Sequence, residues 1–168
     1  MKNEYEVSRG VFVPLERKAI LMHSAFARVL WALFGALWIG IIIIFAKNVE
    51  NPVAEIVLCS IIVAYCLYKV LFDAVARAWF RFFVLSRQIG KSHWVRQIAF
   101  ESDYIALKDE SKKRTYKYTD IKEIGQNEGY IAVILRTKQV LWLRTDAFVD
   151  TTLEEVIALI SVKREYAN

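Results

Sequence analysis

The sequence predicts a membrane α+β fold, in which a two-helix transmembrane hairpin carries a cytosolic antiparallel β-meander closed by a C-terminal helix. Three observations predict it. Val29 to Ala46 reads VLWALFGALWIGIIIIFA, eighteen residues without a charge. Val53 to Phe72 is a second apolar run broken only by Glu55 and Lys69. From Val95 onward the hydrophobic period changes from that of a helix to the alternation of a strand.

The chain before the first span opens with YEVSRGVFV, Tyr5 to Val13, whose imperfect alternation and β-branched residues predict a short strand. Pro14 then presets the backbone for a first helical turn, and ERKAILMHSAFA runs into the first span without a stop. The spans are expected at about residues 28–47 and 53–72, each near the roughly 20 apolar residues a helix needs to cross about 30 Å of hydrocarbon. Only a helix or a closed barrel satisfies its own backbone there. Glu55 and Lys69 each lie within about a turn of a span end, where their side chains can reach the headgroups; an ion pathway is the alternative for such groups. The first span is not read as a cleaved leader: it starts about 28 residues in, lacks a small-x-small site, and meets a second span at once. Lys2, Arg9, Arg17, Lys18 and Arg28 precede the first span and Arg77, Arg81, Arg87, Lys91 and Arg96 follow the second, against Lys47 alone between them. The positive-inside rule therefore predicts a multi-pass membrane protein with both termini cytoplasmic.

The second helix is expected to continue to about residue 89, with Gly90 as its stop. In DAVARAWFRFFVLSRQIG, Asp73, Arg77 and Arg81 follow at i, i+4 spacing, opposite the aromatics Trp79, Phe80, Phe82 and Phe83. One reading has Arg77, Arg81 and Trp79 grip acidic lipid at the interface; the other has this helix pack against the one starting at Pro14. These elements make an N-terminal domain of residues 1–94, leaving 95–168 as one small cytosolic module.

RQIAFES, DYIALKD, RTYKYTD, IKEIGQ, YIAVILRT and VLWLRT read as about six strands, with turns at Ser102-Asp103, Asp109 to Lys112, Asn127 to Gly129 and Thr137 to Gln139. A final helix follows, capped by Thr151 with Glu154 or Thr152 with Glu155, and its stripe of Leu153, Val156, Ile157 and Ile160 closes the sheet. Phe148 and Ile157 are expected in the core.

The formal charge of +5 with a pI near 9.2 sits mostly beside the spans, so it points to topology and anionic lipid, with no nucleic-acid partner. Cys59 and Cys66 lie seven apart in the second span, too far for a helix to bridge, and read as apolar packing residues. His23 and His93 stand alone, and with both cysteines in the bilayer no metal-ligand spacing, phosphate loop or nucleophile-base pair is present. The chain therefore predicts no enzyme, no cofactor and no catalytic or metal residue. Lys112, Lys113 and Arg114, in KKRTYK, form the one dense basic patch of the module: a headgroup or partner contact, or a solvated edge against aggregation.

Phe100, Asp103 and Ile105 in FESDYI, Tyr118, Asp120 and Ile121 in YTDI, Tyr130 to Leu135 in YIAVIL, and Phe148 with TTLEEVIALI, placed after two spans, resemble the YcxB-like family of small bacterial membrane proteins. The resemblance implies a pleckstrin-homology-like module and no characterised reaction. The loop LRTDAF departs from the family's proline and basic residue before the aromatic. Together these readings predict a non-catalytic integral protein of the bacterial inner membrane whose module binds a protein partner, itself or another, or anionic headgroups of the bilayer. The alternative is an immunity or defence protein that neutralises a toxin at the inner membrane.

Overall fold

The computed structural model describes residues 1–110, 112–127 and 129–165. Ser111 and Glu128, assigned above to turns, lie outside the described residues. The fold combines helices with antiparallel sheets, in the order β1 (Lys2–Val7), α1 (Arg9–Asn48), α2 (Val53–Leu71), α3 (Asp73–Ile89), β2 (Trp94–Phe100), β3 (Tyr104–Asp109), β4 (Lys112–Lys117), β5 (Ile121–Asn127), β6 (Tyr130–Leu135), β7 (Val140–Arg144), β8 (Phe148–Val149) and α4 (Leu153–Glu165). It divides into two compact units, Glu16–Arg81 and Met1–Leu15 with Phe82–Asn168.

Among the described residues two helices are long and apolar enough to cross a membrane, and the Glu16–Arg81 unit holds α2 and most of α1. They meet where neither carries bulk: a Cβ built on Gly35 would stand 3.2 Å from the Cβ of Cys66. Trp31 packs edge-on against Tyr65 at 5.6 Å between ring centroids. Arg28 Nε donates to the Val70 carbonyl at 3.0 Å, so this cation finds a backbone partner. Cys59 and Cys66 are buried and unbonded, as packing residues. The outward surface is the reverse of a soluble protein's. Only 6% of the most apolar stretch of α1 and 11% of that of α2 is buried, leaving Phe26, Leu33, Ile44, Leu58 and Ile61 exposed. The second helix is not one continuous rod to residue 89; it is interrupted at Phe72, and α3 begins at Asp73.

In the other unit, the strand expected over Tyr5–Val13 is shifted toward the N-terminus and ends at Val7. The Ser8 carbonyl accepts from the amides of Val11 and Phe12, starting α1 five residues before Pro14. Phe12 then turns onto Phe82 and Trp94, with centroids 5.8 and 6.2 Å away, and this packing outweighs the β-propensity of VFV. Pro14 lies inside the helix and forgoes one backbone bond. The C-terminal stop is as expected: Gly90 has φ of 77° and donates to Ser86 O at 2.8 Å.

All six expected strands are present, and they form two sheets. One has the order β4-β3-β2-β1-β8 and the other β5-β6-β7. The N-terminal strand thus sits inside the first sheet, with Lys2 opposite Ala99 and Val7 opposite Trp94. A boundary at 94/95 cuts β1 from the strand that satisfies its backbone, which is why Met1–Leu15 joins the C-terminal unit.

The inner faces of both sheets, Ile98, Phe100, Ile105 and Leu107 from one and Ile131, Val133, Leu141 and Leu143 from the other, share a core with Val156 and Ile160 of α4. Phe148, Leu153 and Leu159 pack at its margin. Ile157 does not belong to it and is 37% exposed. At 100° per residue Val156, Leu159 and Ile160 share one side, from which Ile157 is turned away. The capping box is Thr152 with Glu155: Thr152 Oγ1 accepts from the Glu155 amide at 3.3 Å, and the Thr152 amide donates to Glu155 Oε2 at 3.0 Å.

Candidate functional sites

The six residues singled out above fall in different places. In the Glu16–Arg81 unit, Ala74 and Ala78 of α3 are buried, while Phe72, Trp79 and Phe80 on its opposite side are 59%, 44% and 62% exposed. The helical period separates these faces, and both are apolar. Beside the exposed aromatics runs a charged line. Asp73, buried, receives Lys69 Nζ at 3.1 Å and also pairs with Arg77. Arg81 pairs with Glu16 of α1. The two candidate arginines are therefore matched within the unit, and Trp79 with its aromatic neighbours forms the outward surface.

In the β-rich unit, Lys112, Lys113 and Arg114 do not form one surface, because successive strand residues point to opposite faces. In β4, Lys112 lies opposite Asp109 and Arg114 opposite Leu107, on the core side of the sheet; Lys113 lies opposite Lys108 on the outer side. Lys112 also donates to Gln88. One cation not singled out from the sequence joins the outer face: Lys108, brought beside Lys113 by the hairpin register; Lys117, the last residue of KKRTYK, lies on the same face four residues further along β4. The turn signal at Asp109 to Lys112 held the information, since a hairpin closed there fixes that pairing.

A second feature went unseen for lack of any local signal. Asp109 is 5% exposed and accepts Trp94 Nε1 at 3.0 Å, Arg96 Nε at 2.7 Å and Arg96 Nη2 at 2.9 Å. The Arg96 guanidinium also lies 5.8 Å from the Phe12 ring. Burial opposes the Arg96 charge, yet the bidentate Asp109 carboxylate and the neighbouring Tyr5 together outweigh it and leave the pKa above its ordinary value. Burial likewise pushes the Tyr5 phenol up, against the pull of Arg96. Tyr5 OH donates to the Trp142 carbonyl at 2.8 Å, and Asn3 Nδ2 donates to the Arg144 carbonyl at 2.7 Å, so β1 is tied to β7 as well as to its sheet neighbours. Every polar atom named here has a partner, and the network's work is to hold β1 and the start of α1. Among the described residues, no three His, Cys, Asp or Glu side chains come together as a metal set.

Comparison with protein-family models, with curated proteins and with solved structures finds no match for this chain.

Proposed function

We propose that this chain is a non-catalytic, two-span protein of the bacterial inner membrane that holds a pleckstrin-homology-like binding module in the cytoplasm. The observation that carries the reading is the exterior of the Glu16–Arg81 unit. Two antiparallel helices present large apolar side chains outward along their length and end in the Phe72, Trp79 and Phe80 belt with its Lys69, Asp73 and Arg77 charges. Exposing such a surface to water costs about 25 cal/mol per Å2, whereas hydrocarbon accepts it. Both termini lie in the cytoplasm in this reading, because the cations flank the spans and Lys47 alone stands between them.

The belt contacts headgroups, and the module's basic β3–β4 hairpin makes the specific contact with an anionic partner. Asp73 cancels part of the charge of Lys69 and Arg77, so Trp79 and its neighbours carry the interfacial anchoring. Extraction of membranes with alkaline carbonate tests the anchor. The full chain should remain in the pellet, and release into the supernatant would show a peripheral protein instead.

A further inference from the structure

β4 is the outermost strand of its sheet, and among the described residues no strand pairs with its free edge. Its six residues, KKRTYK, include four cations. Lys113 and Lys117 lie on the outer face and Lys112 and Arg114 on the core-side face, so positive charge flanks the edge on both sides. Lys113, Arg114 and Lys117 make no ion pair among the described residues, and Lys113 faces another lysine, Lys108. Like charges directly opposite each other destabilise a sheet. Along that row the strands contribute Lys113, Lys108, Gln97 and Glu4, so the first acid is three strands from β4 and already accepts Gln97 Nε2 at 2.9 Å. The position that would neutralise Lys113 is the one beyond it, where a further strand would lie.

We propose that β4 receives an acidic, extended segment of a partner protein as an added strand. Main-chain hydrogen bonds along the free edge would give the affinity, and acids at every second position, on the outer face beside Lys113 and Lys117, would give the selectivity. A second copy of this chain does not fit: β4 against β4 would stack cations on cations, and the sheet's other edge, β8, is only two residues long. A membrane surface fits less well, since a plane approaching either face meets half of these cations, and one approaching the edge leaves the β4 amides and carbonyls without partners. An apolar strand would leave the four cations unmatched. The proposal deepens the reading of the module as a binding unit by naming the class of its partner.

The test uses the full chain in phosphatidylcholine nanodiscs and a fluorescein-labelled peptide of alternating Glu and Val, followed by anisotropy. Saturable binding is expected. A fully N-methylated version of the peptide keeps every charge but cannot donate backbone hydrogen bonds, and its Kd should be about tenfold higher or more. The double variant Lys113→Glu with Lys117→Glu should lose the Glu-Val peptide and gain one of alternating Lys and Val, a gain that also shows the module is folded. Equal binding of the N-methylated peptide would overturn the strand geometry, and so would absence of binding. Displacement of the peptide when phosphatidylserine is included would assign the cations to lipid and overturn the proposal. Retention of the protein in the nanodisc fraction reads membrane integration separately, so loss of peptide binding with retention intact contradicts the strand proposal alone.

Discussion

A position in a helix stripe is decided by a rotation of 100° per residue, and Ile157 shows how little separates core from surface. Ile160 is 1% exposed within the main core and Ile157 is 37% exposed one turn earlier. Ile160→Ala should cost about 2 to 5 kcal/mol. Ile157→Ala should cost less than about 1 kcal/mol, as at a surface site. Urea unfolding followed by tryptophan fluorescence separates the two, and equal losses would mean that α4 is rotated. Tyr118 makes a second prediction at this scale. Its hydroxyl donates to the Glu101 carbonyl at 2.8 Å, and burial, helped by the nearby charges of Glu101 and Asp103, pushes the phenol from 10.0 to about 12. The folded protein keeps a proton that the unfolded chain releases, so stability is unaffected by this group below pH 10 and falls as pH climbs from about 10 to about 12. Tyr118→Phe should make the alkaline slope shallower, leaving the share of the buried Tyr5, while costing about 1 kcal/mol at neutral pH for the lost hydrogen bond. An unchanged slope in the variant would place the phenol in water.

Elements whose partners are near in sequence could be read, and those whose partners are far could not. The six strands of the module were legible from alternation and turn residues, and the Thr152–Glu155 cap from its spacing. β1 was legible only as a short strand placed too far toward Val13: its position and register are set by residues such as Gln97, which pairs with Glu4 across 93 positions, and nothing local announces that contact. Nor could periodicity assign VFV to α1, since the deciding contacts are with Phe82 and Trp94. The cap gives an element-scale prediction. Hydrogen bonds from the Thr152 amide and the Thr151 hydroxyl hold the Glu155 pKa below its ordinary value, so their stabilisation is present above the usual carboxylate range and fades as pH falls through the lowered pKa. Thr152→Ala should lower stability by about 1 kcal/mol at neutral pH, read from the urea midpoint. The helical hairpin offers a sharper ruler. Because a Cβ on Gly35 would lie 3.2 Å from that of Cys66, Gly35→Cys should form a disulfide with it on mild oxidation. Disulfide Cβ atoms stand about 3.5 to 4.5 Å apart, within easy adjustment of this site. Loss of alkylation at both thiols is the expected result, and two free thiols would mean a different α1–α2 register.

For the whole molecule, the two long apolar helices were the most legible feature of the chain, because apolar runs of about 20 residues are long enough for a helix that could cross a membrane. The site was less legible. Arg77 and Arg81 stood out as cations, yet Asp73 and Glu16 claim them, and the triplet Lys112, Lys113 and Arg114 divides between two faces once it is a strand. Contiguity in sequence became alternation in space, and the cation that joined Lys113 was Lys108 from the neighbouring strand. The central claim is the hairpin itself: two spans, with the β-rich module on the same side as the N-terminus. Single cysteines at Asn51 and at Lys138, in a background with Cys59 and Cys66 replaced by serine, test it most directly with a membrane-impermeant maleimide. Asn51→Cys in the loop between the spans should label from outside the inner membrane of spheroplasts, and Lys138→Cys only after the membrane is opened. Labelling of Lys138→Cys from outside, or of both sites from one side, would contradict the account.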